Sequence, residues 1–257
     1  MKLTEYQPTS QLRPFIKAYR IIESDDEIIN RVVPGTSFAL AFRFKGQIAY
    51  LDKNNKQTLP SATFSGLRKT VRLINYAPKT AALIVMFTET GASAFFKLPI
   101  FKLFEESVSL DNFFRQSEIS SISDQLAETE KFEDMITLIE KFLSSKLLYY
   151  KPDNLVIEAV NRIHATGGSM RINKLTNDLC ISQDAFEKRF RKVVGSSAKQ
   201  FSGIVRMNEI ISKTPSLESL STIALDHGFY DQPHFNKEFK LFTGLTPTAF
   251  FGAASYW

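Results

Sequence analysis

Two stretches of the chain present the same chemistry at the same spacing. From Phe186 to Phe201 the sequence lies over Phe235 to Phe250 at an offset of 49 residues. Phe186 and Phe190 match Phe235 and Phe239, Lys188 matches Lys237, Gly195 matches Gly244, Phe201 matches Phe250, and just upstream Gln183 matches Gln232. Identity at a fixed offset marks one structural unit used twice. Phenylalanines four apart share one face of a helix. Opposite them stand Gln183, Asp184, Glu187, Lys188 and Arg191 in the first copy, and Gln232, Pro233, Asn236, Lys237 and Lys240 in the second. Ser182, Asp231 and His234 complete the candidate site at the helix starts. Amide and charged side chains toward base edges, basic residues toward phosphates and an apolar back are what a helix entering the major groove of double-stranded DNA needs.

The elements that must hold these side chains can be read around them. In the first copy Ile172, Leu175 and Leu179 have helical spacing, Cys180 and Ile181 form a turn, and Ser182 caps a second helix that ends at Gly195. In the second, Ile223 and Ala224 sit in a short first helix, Gly228 supplies the turn, and Asp231 caps a helix ending at Gly244. Pro233 fits there because the first helical turn needs no intrahelical N–H donor. An amphipathic helix with a solvated face explains either copy alone; it explains two copies at one offset poorly.

On these residues the segment from Leu155 to Phe251 resembles the DNA-binding domain of AraC/XylS-type regulators. Its second unit carries their signature at Ile223, Ala224, Gly228, Phe229, Asp231, Phe235, Phe239, Lys240, Gly244, Thr246 and Pro247. The resemblance implies seven helices, with a linker helix from Ala198 to Ser212 in which Arg206 matches a commonly basic position. It also implies a sequence-specific transcriptional regulator of bacterial type with RNA polymerase as a partner. Thr176 stands where Ala is usual and Cys180 where Gly is common. Ala82 to Phe114 is more weakly similar to the end of a sensor domain often fused to such units.

The first half supplies no such chemistry. Ser37 to Phe44 alternates, with Phe38, Leu40, Phe42 and Phe44 on one side, as a half-buried strand does. Lys45 and Gly46 then predict a hairpin turn into Gln47 to Leu51, and Asp52 to Lys56 a second turn. Further strands are expected at Ala62 to Ser65, Val71 to Tyr76 and Ala82 to Phe87, giving five or so in a small antiparallel sandwich or barrel. Helices are expected near Ala92 to Leu98, Ile119 to Thr129 and Phe132 to Leu148. The last carries an apolar stripe of Phe132, Met135, Ile136, Ile139, Phe142 and Leu143, for packing on the sheet or for dimerisation. The expected fold is therefore an α+β or mainly β sensor-like domain over residues 1–148 and an all-α double helix-turn-helix domain over 153–257. The boundary falls between Ser144 and Pro152, before a cap at Asp153 or Asn154.

Composition bounds the rest. The chain has 257 residues, 44% hydrophobic and 23% charged, the profile of a globular protein. A net charge of +5 is compatible with a polyanionic partner without singling one out. All three histidines, His164, His227 and His234, lie beyond residue 150, so no histidine metal centre is expected in the first half, and no cofactor or metal in either. Cys180 is the only cysteine, and no run of 18 apolar residues occurs, so a cytoplasmic, non-membrane protein is expected. A small-molecule effector and a homodimer stay open. Two other classes remain: an alkyl-transfer repair protein, which needs a reactive cysteine as acceptor, and a protein-interaction adaptor, favoured by the carboxylates of Asp184 and Glu187.

Overall fold

The computed structural model describes residues 1–52, 55–97, 99–148, 150–212 and 220–252, the side chains of 220 and 221 excepted. Among the described residues the first half holds ten strands: β1 (Lys2–Tyr6), β2 (Ile16–Ser24), β3 (Ile28–Val32), β4 (Ala39–Lys45), β5 (Ile48–Asp52), β6 (Asn55–Thr58), β7 (Ala62–Ser65), β8 (Arg72–Tyr76), β9 (Thr80–Phe87) and β10 (Ser107–Ser109). They form two antiparallel sheets, one in the order β1-β2-β9-β4-β7-β10 and one in the order β3-β8-β5-β6.

Side-chain parity explains the layering. On β2 and β9, Ile22 and Ala82 join Ile48 of β5 and Tyr76 of β8 in a small apolar cluster that glues the sheets together. Their opposite-parity neighbours Ile21, Leu83, Val85 and Phe87 enter a much larger cluster with Leu40 and Phe42 of β4. Successive strand residues point to opposite faces, so the six-stranded sheet is buried on both sides. Onto its second face pack α1 (Gln116–Glu128) and α2 (Phe132–Lys146). Met135, Ile136, Ile139 and Leu143 of α2 are buried there, and the Phe142 ring meets Phe42 edge-on with centroids 6.1 Å apart. The stripe read from the sequence is thus committed to the sheet.

Two expectations are corrected. β4 and β5 are not a hairpin: β4 pairs with β7 and β9, β5 with β6 and β8, and the turn at Gly46 carries the chain from one sheet to the other. The helix expected near Ala92 to Leu98 is a single 3-10 turn, Gly91–Ala94, and Leu98 lies outside the described residues. The second expected turn closes β5 on β6, with Asp52 opposite Asn55, although residues 53 and 54 lie outside the described set.

Among the described residues seven helices follow: α3 (Asn154–Ala165), α4 (Ile172–Asp178), α5 (Gln183–Val194), α6 (Ala198–Ser212), α7 (Leu220–Asp226), α8 (Gln232–Thr243) and α9 (Pro247–Phe251). Asp153 caps the first of them, accepting from the Val156 N–H at 3.2 Å. Among the described residues no helix is long and apolar enough to cross a membrane. The large apolar cluster runs without interruption from Leu12 through Phe87 and Ile139 to Phe190, Phe239 and Phe250, so the helical half is packed onto the sheet half.

One contact in that joint fixes the end of α5. Gly195 has φ +82°, and a Cβ built on it would overlap the ring of Phe38. Gly195→Ala is therefore expected to destabilise the chain by about 1–3 kcal/mol. Gly203→Ala, in the interior of α6 with nothing within 4 Å of the added carbon, is expected to stabilise it by about 0.5–1 kcal/mol. Denaturant unfolding of both variants checks the pair, and equal effects would contradict the packing at Phe38.

Candidate nucleic-acid interface

Each unit is built from a short helix, a tight turn and a longer capped helix. In the first, the Ile181 N–H donates to the Thr176 carbonyl across the turn at 3.1 Å; in the second, the Phe229 N–H donates to the Ala224 carbonyl at 2.9 Å. Between those anchors Cys180 (φ +53°) and Gly228 (φ +75°) occupy the same left-handed position. Cys180 is thus the turn residue of its unit, at some strain, where the second unit uses the residue that adopts this conformation freely.

The two turns differ in one respect that the sequence repeat concealed. Thr176, Cys180 and Ile181 precede their counterparts Ala224, Gly228 and Phe229 by 48 positions, whereas from the caps onward the offset is 49. The second turn holds one more residue, Tyr230, which is 88% exposed. The cap then restores register. Ser182 Oγ accepts from the Ala185 N–H at 3.4 Å and Asp231 Oδ1 from the His234 N–H at 2.8 Å.

Behind both longer helices the phenylalanines lock. Phe186 and Phe190 are fully buried with ring centroids 5.4 Å apart, and Phe235 and Phe239 are buried with centroids 5.5 Å apart. Phe190 packs on Phe201 of α6 and Phe239 on Phe250 of α9, at 5.7 and 5.4 Å, so the matched phenylalanines make the same contact in each unit. α6 also grips the second turn. The Arg206 guanidinium lies over the Phe229 ring at 4.3 Å and Nη1 donates to the His227 carbonyl at 3.4 Å. Burial pulls the Arg206 pKa down, with the charge of Glu238 opposing it.

The exposed faces carry most, not all, of the expected side chains. Gln183, Asp184, Lys188 and Arg191 are exposed on α5, and Gln232, His234, Lys237 and Lys240 on α8. Four residues are differently employed. Glu187 is half-buried, paired through Oε1 with Arg191 Nε at 2.7 Å, while Oε2 accepts from the Ala198 N–H at the start of α6 at 3.4 Å. Its carboxylate therefore caps the linker helix and offsets the Arg191 charge. Ser182 and Asp231 use their oxygens as caps. Asn236 is half-buried, and its Oδ1 is enclosed with no hydrogen-bond partner among the described residues. Sequence reasoning also passed over Arg189, whose fork binds Asp153 at 2.8 and 2.9 Å and ties α5 to the cap of α3. Burial raises the Asp153 carboxyl, and its hydrogen bonds to Arg189 and Val156 outweigh that and hold it below the usual range.

The far ends of both longer helices meet the sheet half at equivalent residues. Gly195, the C-cap of α5, lies against Phe38 and near the Ile100 carbonyl; Gly244, the C-cap of α8, lies against Arg31 and Val71. Arg31 Nη1 donates to the Thr243 carbonyl at 3.1 Å, and the Val71 N–H to the Leu241 carbonyl at 3.4 Å. Cationic and N–H donors at the carbonyl end of a helix are favoured by its dipole.

Residues 175–253 match the family described as "Helix-turn-helix domain", and residues 4–109 the family described as "Domain of unknown function (DUF6597)". The Msm operon regulatory protein of Streptococcus mutans is 31% identical over 157 residues, which are 58% of this chain and 55% of that protein, so the chain matches about half the length of this relative. Among solved structures, ToxT from Vibrio cholerae is similar with a TM-score of 0.46 at 11% identity, covering 91% of this chain and 96% of that one. The xylose-binding transcription activator XylR has a TM-score of 0.36 at 18% identity, covering 46% of this chain and 37% of that one. Two capped units with a linker helix between them, and the family match across both longer helices, make residues 175–253 a helix-turn-helix domain.

Proposed function

We propose that the chain is a transcriptional regulator that reads double-stranded DNA with α5 and α8 in two successive major grooves, while the sheet half senses an effector or mediates self-association. The observation that carries this is the pair of helices with the same cap, the same buried phenylalanine pair and the same clamped glycine end, leaving amides and lysines outward on both. The name of the relative, an operon regulatory protein, supports a role in transcription. Gln183, Asp184 and Lys188 on α5, with Gln232, His234 and Lys237 on α8, are the proposed readers. Arg191 and Lys240 serve the phosphates; Ser182, Asp231 and Glu187 position the helices. The alkyl-transfer alternative loses support because Cys180 is accounted for by the turn it makes.

The joint between the halves supports regulation. A cleft of about 440 Å³ there is lined from the sheet side by Lys17, Thr36 and Met86 and from the helical side by His164, Val205 and Asn208. Across the joint His164 Nε2 lies 3.3 Å from Glu89 Oε1, and Asn208 Nδ2 donates to the Pro34 carbonyl at 3.1 Å. Anything that enters the cleft or shifts the sheet half bears on α3 and α6, and through them on the spacing of the reading helices.

Two outcomes test this reading. Selection from random duplexes should return an asymmetric site with two groove segments roughly 34 Å apart. Gln183→Ala or Lys188→Ala should relax base preference in one segment and Gln232→Ala or Lys237→Ala in the other, each by about 1–3 kcal/mol. Lys192→Ala should only make the salt dependence shallower. Mutants of both units relaxing the same base positions would mean that a single unit reads sequence.

We further propose a domain boundary between residues 148 and 153. A fragment from Lys151, which keeps both phenylalanine cores and the Asp153 cap, is expected to fold and to bind the selected duplex. A cooperative melt and a gel shift check it; an unfolded fragment beside a stable intact chain would make the halves one folding unit.

A further inference from the structure

The sheet half contains a polar cluster that DNA reading does not use. The segment entering β8 is held against the one entering β10: the Gly66 N–H donates to the Glu106 carbonyl at 3.0 Å and the Glu105 N–H to the Leu67 carbonyl at 2.7 Å. This places Arg68, only 9% exposed, beside three hydroxyls. The Tyr50 hydroxyl of β5 lies 2.8 Å from Ser107 Oγ of β10 and 3.4 Å from Ser65 Oγ of β7, and the two serine oxygens are 2.9 Å apart. Arg68 Nη2 donates to Ser107 Oγ at 3.4 Å. A second guanidinium, Arg72, stacks on the Tyr50 ring at 4.4 Å, with Arg68 at 5.8 Å from the same centroid.

Positive charge is in excess here. Neither Arg68 nor Arg72 forms an ion pair among the described residues. Glu105, whose charge Arg68 feels, turns its carboxylate to the Lys69 N–H at 2.9 Å and the Thr70 hydroxyl at 3.4 Å, and Arg72 Nη2 reaches only its backbone carbonyl, at 2.8 Å. Burial disfavours the Arg68 cation, the Tyr50 hydroxyl beside it opposes that, and the neighbouring Arg72 charge adds to the burial effect. Burial likewise raises the Tyr50 hydroxyl, yet the Arg68 charge and the hydrogen bonds from Ser107 and Ser65 bring it below its ordinary value. A buried cation without an anionic partner is costly. Guanidinium forks beside hydroxyl donors are the usual means of holding a carboxylate or phosphate.

We propose that Tyr50, Ser65, Arg68, Arg72 and Ser107 form a binding site for a small oxyanion, the carboxylate or phosphate group of a small molecule. The site is separate from the cleft at the joint and does not depend on the DNA-reading assignment. It lies beside the clamp on α8, since Val71 falls between the two arginines' positions in the chain and donates to Leu241.

The test is calorimetric titration of the full chain at constant ionic strength with inorganic phosphate and, separately, with acetate. Saturable binding of phosphate alone assigns a phosphate-bearing ligand, and of acetate alone a carboxylate. Arg72→Gln is expected to weaken that binding about tenfold or more, whereas Lys17→Gln, a cation of the cleft, leaves it unchanged. Should Arg72→Gln fail to fold, Ser107→Ala carries the same expectation. Binding of neither anion, or binding that survives in Arg72→Gln or Ser107→Ala, overturns the proposal.

Discussion

The geometry of the chain hangs on how two helices end. α5 and α8 each stop on a glycine in the left-handed region, Gly195 and Gly244, and each glycine is a point where the sheet half touches its unit. A helix end that must both turn sharply and admit a neighbour at backbone distance leaves no room for a Cβ. Phe38 occupies that room at one end, Arg31 at the other. Because Phe38 leads into β4 and Arg31 lies on β3, the pair of packed sheets spans both units. The relative placement of the two exposed faces is then a property of the sheet half as much as of the linker helix.

Within the helical half the same economy recurs. Glu187 ends the α5 face and starts α6; Arg206 leaves α6 and holds the turn before α8; Arg189 ties α5 back to the cap of α3. These charged groups are half-buried or paired, and each sets an angle between elements. Buried or shared ionic contacts fix geometry better than they add stability. What is left outward, Gln183, Lys188, His234 and Lys237 among others, is left by elimination: every residue with a positioning task is turned elsewhere.

Much of the helical half was legible in the sequence because its signals are local. A cap residue, an i, i+4 phenylalanine pair and a terminal glycine all act within one or two turns, so Ser182, Asp231, Gly195 and Gly244 announce their helices, and Ala198 to Ser212 matches the linker helix. The sheet half was less legible. β2 escaped because Ile21 and Ile22 are buried on opposite faces, which erases the alternation that marked β4. The turn at Gly46 reads as a hairpin locally, and only the pairing of distant strands shows that it changes sheet. The inward employment of Glu187 and Asn236 was hidden for the same reason, since it depends on where α6 and the neighbouring packing lie rather than on helix periodicity.

The most direct test of two-groove reading is methylation interference with the intact chain on a duplex it selects. Two helices held by the linker helix and the sheet half should make guanine N7 methylation inhibitory in two major-groove segments on one face of the duplex, about one turn apart. Interference confined to a single segment, or spread over opposite faces, would contradict the account.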